Sequence, residues 1–545
     1  MVDLSTDINL DCDVIVIGGG ASGAAVSWKL SQESIRVICL EQGDFVNPES
    51  YPANFKSSEI FDIKKWSFSP NERKLKADYP INDNESKIKI ANYNAVGGST
   101  IIFSGHYPRF HPSDFKARSL DGIADDWPIS YSNLEPYYEL NEKIVGVSGL
   151  AGDPAYPLIK NLMPPIPLGK MGERLGNGFN NKGWHWWPSY SASSTREIHG
   201  RNKCINIGTC NLGCPQSAKS SADVTYWPIA LKNGAKIYTN SRVRNILVNS
   251  NNFVTGVEYF NNLGEIQILK SRVVILASNG VGTPRILLNS KSINNPDGLA
   301  NSSGLVGKNL MLHPLGYVEG VDDIDLDSDL GPQGCCLQSQ EFFESDESRG
   351  FLRGYTIQAL RGPSPVEHAK KLLRRKKLKF GEDHLNSFKE TFNKIVSLGI
   401  IVEDLPEITN RVEIDKILKD SHGIPSPKIL YTLSENSKKS LSHGINKCKE
   451  LFISMGLKDV IAYGPVANSG WHLMGTTKMG QNASDSVVNK NGQSHDIPNL
   501  FVADSSIFVT SSSVNPANTL QSLALYVADS VIRELPKFNI EQLRN

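Results

Sequence analysis

A glycine-rich segment near the start of the chain has the residue types and spacing that bind a dinucleotide. It reads GGGASG, follows the apolar run 13–17 (DVIVI), and fits the pattern G-x-G-x-x-G between a strand and a helix. The first glycine permits a tight turn, the second lets the backbone approach a pyrophosphate, and the third lets the helix pack closely on the strand. The residues predicted to form this site are Gly18, Gly20, Ala21, Ser22 and Gly23.

A carboxylate completes this pattern. Glu41 follows a second apolar run, 37–40, and lies 21 residues beyond Gly20. At this place a carboxylate can accept hydrogen bonds from both ribose hydroxyls, which favours an unphosphorylated ribose. Glycine-rich turns also occur without a ligand, but strand, helix and acidic residue together predict nucleotide binding. The pattern alone does not separate FAD from NAD.

Three cysteines form a second group that could do chemistry. Cys204, Cys210 and Cys214 have the spacing C-x5-C-x3-C, and Pro215 follows them. Three thiolates can hold a [3Fe-4S] cluster, and cysteine loops with a trailing proline occur in ferredoxin-like sites. The alternative is a loop of reduced thiols without metal. Zinc is disfavoured because a closed zinc site takes four ligands and the only histidine nearby in sequence is His199.

Composition excludes several classes of protein. The 545 residues predict two folding units, or one large fold with insertions. The 57 basic residues balance 57 acidic ones, so no overall charge points to nucleic acid or a membrane. No apolar run approaches the ~18 residues of a membrane-spanning helix. The basic run 370–379 is interpreted as a solvated helix face, with an anionic partner as the alternative.

The N-terminus and the isolated cysteines predict a cytoplasmic protein. Residues 1–10 contain no Lys or Arg, which argues against a signal peptide. Cys12 and Cys39 lie in apolar runs, which suits reduced core thiols. Export together with a partner subunit stays open.

Apolar periodicity predicts the elements that position these residues. Segments 13–17 and 37–40 are expected to be strands on either side of a helix at 24–31, which makes a β-α-β unit. Residues 47–92 are expected to be an extended excursion with weak periodicity. Other predictions are strands at 236–248, 271–277 and 500–503, a turn at Asn279-Gly280, and helices at 384–400 and 520–535.

Four further blocks of sequence resemble the glucose-methanol-choline (GMC) oxidoreductase family. The blocks are 96–100 (VGGST) with 108–115 (PRFHPSDF), 283–290 (TPRILLNS), 472–480 (HLMGTTKMG), and 501–504 (FVAD) with 514–519 (VNPANT). They stand in the family's order over almost the whole chain. The stretches 126–129 (DWPI) and 134–138 (LEPYY) further resemble the bacterial sugar and sugar-acid dehydrogenase branch.

The resemblance implies FAD bound in an extended pose. Ile102 stands where covalently flavinylated relatives have a histidine, which implies non-covalent FAD. Phe103 stands where many members have Asn or His, so the polar contacts at the flavin edge differ here. The family positions that contact FAD correspond to Gly97, Gly98, Ser99, Val243, Asp504 and Thr519.

The resemblance also implies oxidation of an alcohol. This reaction needs a base for the hydroxyl proton, a donor for the developing alkoxide, and a hydride acceptor, which a flavin supplies. His472 matches the family base, and an imidazole has a pKa near working pH. Asn515 offers the amide hydrogen bond to the substrate oxygen.

The expected substrate is a sugar, polyol or related CH–OH compound, oxidised to an aldehyde, ketone or lactone. Electrons are expected to pass to an acceptor or carrier protein. One alternative is an oxidase that releases H₂O₂, and another is a flavin-binding subunit whose alcohol site is dead. The cysteine spacing also resembles bacterial FAD glucose dehydrogenases that hold an iron-sulfur cluster, although Ile205 stands where they have a further cysteine.

The implied fold is α/β, and α+β overall: a Rossmann-like FAD-binding domain interleaved with a substrate-binding domain built on an antiparallel sheet with helices. The FAD-binding domain is predicted to comprise residues 1–110, 200–314 and 466–545. The substrate-binding domain is predicted to comprise residues 111–199 and 315–465.

Overall fold

The computed structural model describes residues 10–54, 64–332, 336–375 and 381–543. The strands in chain order are β1 (Val14–Ile17), β2 (Val37–Leu40), β3 (Asn82–Ser86), β4 (Trp187–Pro188), β5 (Lys236–Tyr238), β6 (Arg242–Val248), β7 (Val254–Phe260), β8 (Ile266–Lys270), β9 (Val273–Leu276), β10 (Leu315–Val321), β11 (Leu337–Ser339), β12 (Tyr355–Leu360), β13 (Ile395–Val402), β14 (Arg411–Lys419), β15 (Pro425–Tyr431), β16 (Lys458–Tyr463) and β17 (Leu500–Val502). The helices are α1 (Ala21–Leu30), α2 (Pro70–Arg73), α3 (Ala117–Asp121), α4 (Tyr131–Val145), α5 (Gly169–Lys182), α6 (Ala222–Lys232), α7 (Asn279–Asn289), α8 (Pro365–Arg374), α9 (Glu382–Thr391), α10 (Glu435–Ser454) and α11 (Ala517–Glu534).

A five-stranded parallel sheet carries the glycine-rich turn. Its strand order is β17-β9-β1-β2-β5, and every neighbouring pair is parallel. Strands β1, β2 and β9 are buried along their whole length. Such continuous apolar strands are typical of a parallel sheet that is covered on its faces. Helix α1 packs against α6 and α11, and β7 contacts β9. The predicted β-α-β unit is therefore the centre of this layer.

A six-stranded antiparallel sheet forms the second layer. Its strand order is β16-β10-β13-β12-β11-β4, and β13 is buried over all eight of its residues. Helix α10 packs against β10, β12, β13 and β16, so an apolar core separate from that of the parallel sheet forms here. Two smaller sheets, β14-β15-β3 and β6-β7-β8, complete the strands. The two large sheets draw strands from alternating stretches of the chain, which confirms the mixed α/β prediction.

Several predicted elements are wrong in detail. The helix predicted at 384–400 ends at Thr391, and residues 395–400 belong to β13, because IVSLGIIV is apolar and rich in β-branched residues rather than amphipathic. The turn predicted at Asn279-Gly280 is the start of α7, where Oδ1 of Asn279 accepts the N–H groups of Val281 at 2.9 Å and Gly282 at 3.2 Å. The strand predicted at 236–248 is divided into β5 and β6.

The basic run is only in part a solvated face. Lys371 Nζ lies 2.8 Å from Oε2 of the buried Glu319, and Arg375 Nη2 lies 2.5 Å from its Oε1. Both cations are therefore held by a core carboxylate that the sequence did not point to. Residues 376–380 lie outside the described residues.

The remaining elements agree with expectation. Strand β17 and helix α11 lie where they were predicted. The excursion at 47–92 contains only short helical turns and β3 in its described part. In the described part of the chain, no helix combines the length and apolar character needed to cross a membrane. The domain boundaries stay a prediction.

Candidate active site

A cavity lined by both large sheets collects most of the predicted site residues. The parallel sheet contributes the loops that follow β1, β2 and β9, and the antiparallel sheet contributes side chains from β10, β12 and β13. Three of the residues predicted to bind the cofactor, Gly23, Gly97 and Thr519, do not line this cavity. The predicted residues that line it are Gly18, Gly20, Ala21, Ser22, Glu41, Gly98, Ser99, Val243, His472, Asp504 and Asn515.

The glycine-rich turn forms a cradle for an anion. Gly18 has φ +104°, and a Cβ there would lie 2.6 Å from the carbonyl oxygen of Ala277. A Cβ at Gly23 would lie 1.8 Å from the carbonyl oxygen of Gly18, so this glycine allows the helix to approach the strand. Helix α1 has no side-chain cap, and the first residues of its N-terminal turn line the cavity. These N–H groups fit a pyrophosphate.

Glu41 is fixed at the cavity wall by the backbone. Its Oε2 accepts the N–H of Gly19 at 2.7 Å, and its Oε1 accepts the N–H of Gly43 at 2.8 Å. Each carboxylate oxygen retains a second lone pair, so ribose hydroxyls can still donate to it. Burial raises the pKa of Glu41, and these N–H donors act against that effect. The carboxylate fits the ribose of a dinucleotide.

Asp504 ties the start of α7 to the loop after β17. Its Oδ2 accepts the N–H of Asn279 at 3.0 Å and the hydroxyl of Thr283 at 2.5 Å. Its Oδ1 accepts the N–H of Ser506 at 2.8 Å. Burial raises the pKa of Asp504, while these donors favour the charged carboxylate. Thr519, by contrast, hydrogen-bonds the Tyr138 hydroxyl at 2.7 Å, and its predicted role at the flavin ring stays a prediction.

His472 belongs to a pair of histidines. Its Nδ1 lies 2.8 Å from Nδ1 of His313. Nε2 of His313 lies 3.0 and 2.9 Å from the carbonyl oxygens of Ser511 and Ser512. Because carbonyls only accept hydrogen bonds, His313 carries its proton on Nε2, and its bare Nδ1 accepts the proton on Nδ1 of His472. His472 is thereby left with an unprotonated Nε2.

The same surroundings keep His472 neutral. Burial lowers its pKa well below the usual range, and the neighbouring His313 and His106 lower it further. Burial also lowers the pKa of His313 to about 4. Both rings are therefore neutral at pH 7, and the proton positions follow from the hydrogen bonds alone. Sequence reasoning missed His313, which comes from the segment before β10.

Asn515 has a partner that sequence reasoning also missed. Gln358, on β12, is buried and donates its Nε2–H to Oδ1 of Asn515. With its oxygen engaged in this way, Asn515 presents its NH₂ group to the cavity. No sequence signal marks Gln358, which lies in the middle region without a motif.

The rest of the wall near these groups is largely apolar. Leu315 and Ile401 are paired across β10 and β13, and both line the cavity together with Leu360 of β12. Trp471 lines it too, and its ring packs edge-on against Phe68 with centroids 5.6 Å apart. Such a wall excludes water and accommodates a carbon skeleton.

The cysteine loop does not assemble a metal site. Cys204, Cys210 and Cys214 are partly buried. Within residues 10–54, 64–332, 336–375 and 381–543, no three His, Cys, Asp or Glu side chains form a group that could hold a metal ion. Burial and the other two thiols raise the pKa of Cys204 to about 11, which disfavours its thiolate. Of the two alternatives for these cysteines, this arrangement fits the loop of thiols without metal better than the three-thiolate cluster.

Comparison with known sequences identifies the family. Two family models, both described as GMC oxidoreductase, match residues 189–315 and 406–524. The chain is 38% identical to a 2-methyl-1,2-propanediol dehydrogenase from Mycolicibacterium austroafricanum, covering 96% of this chain and 95% of that protein. It is 28% identical to the fructose dehydrogenase large subunit from Gluconobacter japonicus, covering 96% of this chain and 98% of that subunit.

Solved structures share the fold. Pyridoxine 4-oxidase from Mesorbium loti has a TM-score of 0.63 and 16% identity, covering 96% of this chain and 99% of that chain. Formate oxidase from Aspergillus oryzae has a TM-score of 0.66 and 15% identity, covering 97% of this chain and 99% of that chain. The chain belongs to the GMC oxidoreductases, FAD-binding enzymes that act on CH–OH donors.

Proposed function

We propose that this enzyme oxidises a sugar, polyol or related alcohol, with His472 as the base and Asn515 as the donor to the substrate oxygen. The observation that carries the proposal is the His472–His313 pair, because it leaves an unprotonated Nε2 on a residue that lines the cavity. FAD supplies the hydride acceptor in this reaction. The product is an aldehyde, ketone or lactone.

The residues of the chain handle the proton and the charge. The substrate hydroxyl gives its proton to Nε2 of His472, and the ring becomes a cation. The Nδ1–H of that cation donates to neutral His313, which is anchored by the carbonyl oxygens of Ser511 and Ser512. Asn515 donates to the oxygen as it becomes an alkoxide. Gln358 keeps the amide in the orientation that donates.

The cavity supports FAD held without a covalent bond. Ile102 lines the cavity and has no nucleophilic nitrogen that could join a flavin. The cradle at α1, the Glu41 carboxylate and the Asp504 loop supply separate contacts for the pyrophosphate, the ribose and the ribityl chain. Val243 lines the same cavity from β6, where its backbone is proposed to contact the adenine.

We also propose that the electrons pass to a carrier and that the enzyme works in the cytoplasm. The relatives that are 38% and 28% identical to this chain are both named dehydrogenases, which supports a carrier rather than oxygen as the electron acceptor. Cys12 and Cys39 are free and buried, as reduced core thiols are. Direct oxidation by O₂ with release of H₂O₂ is the competing outcome.

Anaerobic stopped-flow reduction of the bound flavin by a panel of sugars, polyols and simple alcohols tests the proposal. At least one alcohol is expected to bleach the flavin of the wild type and to do so far more slowly in His472→Ala. His384→Ala is the matched control, since His384 is exposed on α9. A flavin that no alcohol bleaches would refute the alcohol oxidation. Rapid oxygen consumption by reduced enzyme would favour the oxidase instead.

A further inference from the structure

Strand β13 contains a glycine among branched apolar residues. Gly399 lies in the middle of this strand (IVSLGIIV), which is buried over its whole length. Glycine in the interior of a strand weakens it, because it loses much conformational freedom on folding and packs no side chain. Gly399 does not have a positive φ, so the backbone conformation does not require a glycine. A glycine at such a place often marks the close approach of a ligand.

Gly399 is on the face of the antiparallel sheet that lines the cavity. Successive residues of a strand point to opposite faces. Gly399 and Ile401 both line the cavity. Ile400, between them, faces helix α10, where a Cβ at Gly444 would lie 2.8 Å from its Cγ2. The missing side chain therefore belongs to the cavity face and not to the core under α10.

Gly399 also adjoins the residues proposed to hold the reacting oxygen. In the register of β12 and β13 it is paired with Gln358, which donates to Oδ1 of Asn515. Strand β10, on the other side of β13, begins at Leu315, two residues after His313, the partner of the proposed base. The cavity floor at Gly399 is therefore next to both groups of the proposed site.

Two leucines pack over the missing side chain. A Cβ at Gly399 would lie 3.2 Å from Cδ1 of Leu360 and 3.6 Å from Cδ1 of Leu315. Carbon atoms in ordinary contact are about 3.5–4.0 Å apart, so Leu360 can pack this closely onto the sheet only because position 399 has no side chain. Both leucines line the cavity. A side chain at position 399 would push them away from the sheet, into the cavity.

We propose that Gly399 determines substrate specificity by deepening the pocket beside the reacting oxygen, so that the enzyme accepts alcohols that are branched at the carbon next to the carbinol carbon. The inference rests on the proposed alcohol oxidation and specifies the shape of its substrate. Leu315, Leu360 and Ile401 make this part of the cavity apolar, so it takes alkyl branches. One methylene group more or less in an apolar pocket changes kcat/KM by about 10- to 200-fold.

Flavin reduction by three primary alcohols provides the first test. 1-Propanol, isobutanol and neopentyl alcohol differ by one methyl group each at the carbon next to the carbinol carbon. The FAD-loaded wild type is expected to use neopentyl alcohol at least as well as 1-propanol. In Gly399→Ala, the kcat/KM for neopentyl alcohol relative to 1-propanol is expected to fall about tenfold or more. An unchanged ratio, or a wild type that oxidises 1-propanol and rejects neopentyl alcohol, would overturn the proposal.

Gly316 provides the matched control on the opposite face of the same sheet. It is paired with Ile400 across β10 and β13. A Cβ at Gly316 would lie 3.1 Å from Cδ1 of Leu441 and 3.1 Å from Cγ1 of Ile445, both on α10. Gly316→Ala therefore adds at least as much crowding, but away from the cavity. It is expected to leave the ratio of the two kcat/KM values unchanged, and an equal fall in both variants would refute the proposal.

Binding without reaction provides the second test. The oxygen of an amide can accept from Asn515, its N–H can donate to Nε2 of His472, and it has no carbinol hydrogen to lose as hydride. Titration calorimetry on oxidised holoenzyme compares trimethylacetamide with acetamide. The wild type is expected to bind trimethylacetamide about tenfold more tightly, and Gly399→Ala is expected to remove the difference. Equal or tighter binding of acetamide by the wild type would refute the inference even if no variant folds.

The outcomes also separate this inference from the proposed function. If alcohols bleach the flavin but the ratio for branched alcohols does not depend on Gly399, the chemistry stands and the role of Gly399 fails. If no alcohol bleaches the flavin but trimethylacetamide is preferred and Gly399→Ala removes that preference, the alcohol chemistry fails while the pocket stands.

Discussion

Replacing His313 tests whether it sets which nitrogen of His472 carries the proton. Its backbone φ is +54°, a left-handed conformation that Gly and Asn adopt at little cost. His313→Gly therefore removes the imidazole without adding backbone strain. His313→Asn is the matched control because its Oδ1 can still accept the proton on Nδ1 of His472. Both variants lose the bonds to the carbonyls of Ser511 and Ser512, at least in part.

The hydrogen bond sets the lower limit of the effect. Before the reaction, the 2.8 Å contact between His313 and His472 joins two neutral rings, and such a bond contributes about 0.5–1.5 kcal/mol. Once His472 has taken up the proton, the bond is charge-assisted and contributes about 1.5–3 kcal/mol. The difference of about 1–2 kcal/mol corresponds to roughly 5- to 30-fold in rate. Loss of the tautomer adds to this, since the wrong tautomer lowers kcat by about 10⁴ in a serine protease.

Stopped-flow flavin reduction under anaerobic conditions measures the effect. His313→Gly is expected to reduce its flavin at least about tenfold more slowly than wild type, with a much smaller loss in His313→Asn. The dissociation constant of the alcohol, from the same data, is expected to change little because His313 acts through His472. A His313→Gly enzyme that retains FAD and reduces it within about twofold of the wild-type rate would refute the tautomer argument.

Four further predictions follow from the site. His472→Ala is expected to keep FAD but slow flavin reduction by about 10²- to 10⁴-fold, or roughly 3–5 kcal/mol; a near-normal rate would refute the base. Acid is expected to release intact FAD into the supernatant, because Ile102 cannot form a covalent link; yellow colour in the pellet would contradict this. Protein purified anaerobically is expected to contain iron well below one equivalent per chain. Among the described residues, loop 204–214 brings together no group of side chains that could hold a metal ion. A stoichiometric amount of iron would contradict this expectation. Burial lowers the pKa of His106 in the folded state to about 4, against an ordinary 6.5. Between these two pH values the unfolded state binds a proton that the folded state does not. The free energy of unfolding should therefore fall by about 3 kcal/mol as the pH drops from 6.5 to 4. Urea titrations at several pH values should show a shallower fall in His106→Leu, and an identical slope would refute this assignment.

The residues that depend on local backbone geometry were the ones predictable from sequence. A tight turn between a strand and a helix needs Gly18 and Gly23 wherever the chain goes next, and Glu41 follows the adjacent strand. Strands β1, β2 and β17 were also predictable, because a short apolar run is a feature of the local sequence. The roles proposed for His472 and Asn515 came instead from family resemblance, because a histidine beside a tryptophan has no local feature that marks a base.

Tertiary structure alone decided how those two residues are oriented. His313 lies 159 residues before His472, and Gln358 lies 157 residues before Asn515. Residues so far apart in sequence share no periodic pattern that could reveal their hydrogen bonds. The same holds for Glu319, which binds the basic side chains of Lys371 and Arg375 at the end of α8. Hydrogen-bond partners are set by which strands and loops meet in space. The sequence therefore determined the nucleotide cradle, whereas the proton positions of the histidine pair depend on contacts that exist only in the folded chain.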